Sequence, residues 1–171
     1  RVRQILAARN ADLRQDWGLD HGTWSVLLHM YPDAKVPVVQ LSIDMRLDAR
    51  GHFELAQSLR ELRGDGVLVL GSGNLTHNLR DAFTRMQNGD TTTPEWARNF
   101  DTATVTALQQ RDSKNLLELW PSPDGRRAHP TPDHWWPLLY AAGASDDRDA
   151  VSFPIEGWDL GSLSMRAVRF G

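Results

Sequence analysis

The sequence predicts an α/β domain with a mostly parallel central sheet, flanked by helices and closed by C-terminal strands. Three observations carry this reading. The apolar run Val36-Pro37-Val38-Val39-Gln40-Leu41-Ser42-Ile43 is followed by an amphipathic stretch and then by a second apolar run, Val67-Leu68-Val69-Leu70. Helical and extended patterns alternate along the chain instead of segregating, as they do in βαβ units. The tail carries two further stretches with the alternation of strands.

Each element has its own warrant. The opening Arg1-Val2-Arg3-Gln4-Ile5-Leu6-Ala7-Ala8-Arg9 reads as the interior of an amphipathic helix and suggests a fragment. Residues 36–43 read as a strand. A helix from Asp48 to Arg63 sets Leu55, Ala56, Leu59 and Leu62 on one face, and Gly64-Asp65-Gly66 breaks it. The short, wholly apolar run 67–70 suits a strand covered on both faces, so residues 36–71 make a βαβ unit with a parallel pair. Trp96, Phe100, Ala103 and Ala107 recur at helical spacing over residues 96–111, with Pro94 suited to the helix start, and they read as core. Residues 113–119 fit another short helix, and Pro121-Ser122-Pro123-Asp124-Gly125 a turn. Residues 133–142 read as a helix ended by Gly143. Residues 151–155 and 160–170 read as closing strands, joined by the hairpin-like Glu156-Gly157-Trp158-Asp159. Residues 1–171 form a single domain on this reading.

Composition narrows the partners. Nineteen basic against 22 acidic residues leave a formal net charge of −3, and neither sign gathers into a run suited to nucleic acid or a membrane surface. The absence of cysteine removes disulfides, thiolate ligands and a thiol nucleophile, which leaves His, Asp and Glu as metal ligands. No stretch reaches the roughly 18 apolar residues of a membrane span, and no signal-peptide pattern opens the chain. The expectation is a cytoplasmic protein without nucleic-acid or membrane partners.

The candidate site gathers around histidines in punctuated settings. His77 follows the apolar run 67–70 through Gly71-Ser72-Gly73-Asn74-Leu75-Thr76. Glycine allows a sharp turn and a close ligand approach, and the carboxyl end of a strand in an open α/β sheet is where ligands bind. His21 lies in Asp20-His21-Gly22-Thr23-Trp24, which fits either a helix start capped by Asp20 or an imidazole at a loop mouth. His134 lies in Pro130-Thr131-Pro132-Asp133-His134-Trp135-Trp136, either facing water in a first helical turn or fixed in a partly apolar place. Convergent imidazoles mean a metal site or proton transfer. His29 on a helix, His52 in the exposed first turn of the charged helix and His129 in a loop stay outside the site.

Asp20 to Leu27, Met30-Tyr31-Pro32-Asp33-Ala34, Pro37 to Asp44, Gly71 to Leu79, Pro130 to His134 and Glu156-Gly157 through Gly161-Ser162-Leu163-Ser164-Met165 occur in this order in DOPA-type extradiol dioxygenases. The chain therefore resembles the class III aromatic ring-opening dioxygenases from about residue 17 onward. The resemblance implies cleavage of DOPA or a related catechol, by dioxygen and a non-haem metal, beside its two hydroxyls. The metal it implies is Fe(II), with zinc able to occupy so nitrogen-rich a site. It makes His134 a metal ligand, His77 a ligand or a base beside the metal, and His21 an acid/base or substrate-anchoring group. Asn74 would orient the ligands from behind.

Two family motifs have no counterpart here. The family domain opens with a strand bearing a Gly-His-Gly type motif and continues to one ending in Ser-Ala-His, each supplying a metal histidine, so the N-terminal strands of that domain are absent. The chain resembles roughly the C-terminal two thirds of such a catalytic domain. A truncated or cleaved form, a complementing N-terminal chain and a degenerate homologue would each explain this. The readings from other classes are a non-catalytic homologue that binds a protein or peptide in the same cleft, and a metal-dependent hydrolase.

Overall fold

In the computed structural model, which describes residues 1–9 and 11–171, side-chain caps set where most of the longer helices begin. A short α1 (Val2–Ile5) and a 3-10 turn (Ala7–Arg9) come first. Asp20, Asp48, Asn78, Asp112 and Ser122 then open α2 (His21–Met30), α3 (Ala49–Leu59), α5 (Leu79–Gln87), α7 (Ser113–Glu118) and α8 (Pro123–Ala128). Each accepts a backbone N–H three residues on and so satisfies a donor that a helix start leaves open. The short α4 (Glu61–Gly64) continues α3, and α6 (Glu95–Gln109) starts after Pro94, as the sequence predicts. A 3-10 turn (Pro132–His134) leads into α9 (Trp136–Gly143).

Two apolar clusters hold these helices. Trp96, Phe100, Ala107 and Leu108 of α6 meet Leu116, Leu117, Trp135, Trp136 and Leu139 in the larger one, so the aromatic positions of this region are core, as expected. The predicted stripe Leu55, Ala56, Leu59 and Leu62 packs with Leu6 and Tyr140 in the smaller. Gly143 lets α3 and α9 close together, since a Cβ there would lie 2.6 Å from the Phe53 carbonyl and 2.8 Å from the Ala56 Cβ. No described helix is long and apolar enough to cross a membrane.

Among the described residues the expected mostly parallel central sheet is not seen. Among the described residues the ladders are antiparallel and lie in the tail: β1 (Val151–Ile155) pairs with β4 (Ala167–Phe170), and β2 (Trp158–Asp159) with β3 (Leu163–Ser164). The closing strands are thus present, with a short inner pair in their connection. Segments 36–43 and 67–70 run without regular secondary structure. A strand exists through hydrogen bonds to a neighbour, and among the described residues neither segment has a paired strand beside it. Their apolar side chains are correspondingly open, with Val38, Val39, Leu41, Val67, Leu68 and Leu70 all exposed. Two smaller corrections concern the helices: the turn expected at 121–125 continues into α8, and the helix expected from 133 begins as a 3-10 turn.

Candidate functional site

The segment 71–78 has no helix or strand of its own, and its two glycines explain where it lies. A Cβ on Gly71 would stand 2.1 Å from the Pro137 carbonyl oxygen, and one on Gly73 would stand 2.4 Å from that of His134. The backbone therefore passes directly against residues 134–137, closer than any side chain allows. The Asn74 N–H donates to the His134 carbonyl at 3.2 Å, and its side-chain amide reaches the Ser164 carbonyl at 3.4 Å. Asn74 thus holds the backbone that carries His134 and links it to β3.

This contact brings two predicted site residues together. The His77 and His134 rings are stacked, with centroids 3.6 Å apart and planes inclined by 9°. The His134 Nδ1 lies 2.8 Å from the Asp133 carboxylate, and its side chain is 32% exposed. Burial opposes ionisation of Asp133, but hydrogen bonds from Thr131, its own backbone and His134 outweigh it and hold the carboxyl below the ordinary range. Burial, then the neighbouring His134, push His77 below the usual histidine value despite the opposing pull of Asp133. A neutral His77 beside a carboxylate-held His134 is the resulting state near neutral pH.

His21 stands elsewhere on the same edge. Asp20 accepts the Thr23 N–H at 3.0 Å, so His21 is the first residue of α2 and exposed, which realises the helix-start reading. The Gln40 side-chain oxygen accepts from the Asp20 N–H at 2.9 Å and from the Thr23 hydroxyl at 2.7 Å, tying the helix start to segment 36–43. A Cβ on Gly22 would lie 3.5 Å from the Ser72 hydroxyl oxygen, so the helix start borders segment 71–73. Among the described residues, the His21 ring makes no hydrogen bond or ring contact with His77 or His134.

The donor set does not complete a metal site. Among the described residues no group of three or more His, Asp or Glu side chains is placed to hold an ion. An imidazole binds a metal through a lone pair in its ring plane at about 2.0–2.1 Å. Two nearly parallel planes at a 3.6 Å centroid separation aim their lone pairs side by side rather than at one point. Asp133 meets the His134 Nδ1 in the way that carboxylates orient metal-binding imidazoles.

Two histidines differ from the sequence reading. His52, expected exposed, is fully buried: its Nδ1 lies 3.0 Å from the Tyr140 hydroxyl and its ring 4.3 Å from the Trp136 ring. Its place on the stripe of Leu55, Ala56 and Leu59 was the signal for this. His129, expected in a loop apart from the site, is also fully buried and contacts the segment that carries His77. Its bond to a carbonyl far along the chain leaves no mark in the sequence.

A family model described as the catalytic LigB subunit of aromatic ring-opening dioxygenase matches residues 3–170. The 4,5-DOPA dioxygenase extradiol of Escherichia coli (strain K12) is 41% identical over 161 residues, covering 92% of this chain and 58% of the relative. The protein of the same name from Beta vulgaris is 34% identical over 179 residues, covering 99% and 63%. The crystal structure of an uncharacterised protein from Escherichia coli K12 superposes with a TM-score of 0.90 at 38% identity, covering 99% of this chain and 70% of that one. The chain spans 58% and 63% of the lengths of these two curated relatives.

Proposed function

Because this chain belongs to the family of the catalytic LigB subunit of aromatic ring-opening dioxygenase, we propose that the protein carrying it cleaves DOPA, or a related catechol with a substituted side chain, in an extradiol reaction. Both atoms of one dioxygen enter the product, and the ring bond beside the two hydroxyls is broken. The observation that supports this most directly is the stacked pair, a neutral His77 against His134 on a glycine-lined edge. Dioxygenases of this family use a non-haem metal. We propose Fe(II), with zinc able to take its place, and His134 as the residue of this chain that would hold it. Of the two histidines expected as metal ligands, we take His134 as the ligand and His77 as the base, which the inclination of the two rings supports.

The proton work falls to this chain. A catechol hydroxyl loses a proton on binding, and ring opening needs one returned. A neutral imidazole whose proton affinity lies below the usual histidine value can do both near pH 7. His77 is assigned this role. His21, at the exposed start of α2, is assigned the second acid/base or substrate-anchoring role. The exposed segments 36–43 and 67–70 fit strands awaiting a partner, and a complementing N-terminal polypeptide that pairs with them would make the parallel sheet and add the remaining ligands.

The test is turnover by the natural full-length protein reconstituted with Fe(II) and supplied with DOPA. The expected result is one dioxygen consumed per catechol and a yellow ring-opened aldehyde. No dioxygen uptake by the metal-loaded protein, with DOPA and with other substituted catechols, would overturn the reading.

A further inference from the structure

The segment that carries His77 is irregular, so its position depends on what grips it from either side. On one side the Thr76 hydroxyl donates to the Ser162 carbonyl at 2.8 Å and accepts the Ser164 N–H at 2.7 Å. On the other, residues 127–129 meet it along their length. The His77 N–H donates to the Ala128 carbonyl at 2.9 Å, and the Asn78 side-chain amide to the Arg127 carbonyl at 2.7 Å. The third contact comes from a side chain: the His129 Nε2 lies 2.9 Å from the Leu75 carbonyl oxygen.

The chemistry of that contact is constrained. A carbonyl oxygen only accepts, so Nε2 carries the hydrogen and Nδ1 is left with its lone pair. Nδ1 is buried and has no hydrogen-bond partner among the described residues. The ring is enclosed by Phe100 and Trp135, each with its centroid 5.7 Å away, and the His129 carbonyl accepts the Trp120 indole N–H at 3.0 Å. Burial, against the opposing Leu75 hydrogen bond, pushes His129 down to about 4, so it is neutral at any pH near 7. His129 touches Leu75, two positions before His77, and Trp135, one position after His134.

We propose that His129 is a positioning residue, an imidazole whose hydrogen bond from Nε2 to the Leu75 carbonyl fixes the His77 segment against His134 and so sets the stacking of the two rings. This rests on the dioxygenase reading for its kinetic consequence, though not for its geometry. No apolar side chain substitutes, because the Leu75 carbonyl would then be buried without a donor. Glutamine does, since its amide N–H reaches about as far as Nε2.

The test compares His129→Leu, His129→Gln and the core variant Leu116→Ala in the natural full-length protein with Fe(II). A positioning role predicts that His129→Leu lowers kcat about tenfold to a hundredfold with KM and metal content within about twofold. His129→Gln recovers most of the loss, and Leu116→Ala loses stability without the loss of kcat. Unchanged kcat in His129→Leu, or an equal fall in Leu116→Ala at matched stability, overturns the proposal. Long-range proton–nitrogen spectra of the imidazoles supply a readout that needs neither turnover nor a folded variant. The wild type must show His129 as the Nε2–H tautomer between pH 5 and 8, and the Nδ1–H or charged form overturns the proposal. If the wild type turns nothing over, the dioxygenase reading fails, and the tautomer together with displacement of the His77 ring signals in His129→Leu but not in Leu116→Ala still decides the positioning role.

Discussion

His77 and His134 lie face to face, their ring centroids 3.6 Å apart and their planes inclined by 9°, although 56 intervening residues separate them in the chain. Parallel rings at this distance do not aim their lone pairs at one point, and a charge on His134 opposes one on His77. The pair is asymmetric, because only His134 has a carboxylate on its Nδ1.

That asymmetry separates two variants. In the metal-loaded full-length protein, His134→Ala and His77→Ala should each abolish catechol turnover. Only His134→Ala should also strip the metal, by about tenfold or more in affinity. Elemental analysis after gel filtration, beside dioxygen uptake, reads both. Metal lost equally from the two variants would show that His77 is a ligand after all.

Stability should fall on the acid side of neutrality. A histidine held neutral in the folded chain stays unprotonated while the unfolded chain takes up a proton, so the unfolded state binds more protons and gains as pH drops. For His129 the window runs from the ordinary value of 6.5 down to about 4, and the difference is worth about 3 kcal/mol at most. Burial pushes His52 and His77 in the same direction. Urea unfolding at pH 7, 5.5 and 4.5 should show a progressive loss, flattened in His129→Gln. A profile that is level from pH 7 to 4.5 would contradict the burial of these imidazoles.

What the sequence made legible divides by range of interaction. Helices α3 and α6 follow from periodicity, with Pro94 marking the start of α6, and the strands β1 and β4 from alternation in the tail, because each pattern is written within a short stretch of chain. Segments 36–43 and 67–70 are as apolar as strands require, yet a ladder depends on neighbours that the segments themselves do not contain. The meeting of His77 with His134 was expected from glycine punctuation and family resemblance together. The buried His52 could have been found, since positions 52, 55, 56 and 59 share one helix face, but the charged neighbours Arg50 and Glu54 masked it. His129 could not, since its partners are the carbonyl of Leu75 and rings from α6 and the turn before α9.

The grip on Thr76 depends on a buried ion pair beneath it. Asp101 accepts the Ser164 hydroxyl at 2.7 Å and is held by the Arg166 guanidinium at 2.8–3.2 Å, with side-chain exposures of 7% and 15%. Removing Asp101 leaves the Arg166 guanidinium with only the exposed Glu156 carboxylate, 3.1 Å away, and the Ser164 hydroxyl without its acceptor, so Asp101→Ala should cost about 3 kcal/mol. The exposed Lys35–Asp33 pair, at 3.0 Å, should contribute nothing measurable when Asp33→Ala breaks it. Denaturant midpoints for the two variants test the contrast, and equal effects would mean that Asp101 is more solvated than its burial states.

The glycines make the sharpest prediction, because they separate space from conformation. Gly73 needs no left-handed backbone, so alanine there fails only by contact, with its Cβ 2.4 Å from the His134 oxygen and 3.3 Å from the Pro137 Cγ. That oxygen is backbone and cannot swing aside, so Gly73→Ala must push segment 71–78 away from residues 134–137 and part the stacked rings. Gly64→Ala is the control, since nothing lies within 4 Å of the added methyl and the position ends a helix. The expectation is that Gly64→Ala keeps full turnover and gains slightly in stability. Gly73→Ala should lose about a hundredfold in kcat, as a displacement of roughly 1 Å does to an aligned site. Wild-type turnover in Gly73→Ala would mean that the close approach of the two segments is not what aligns His77 with His134.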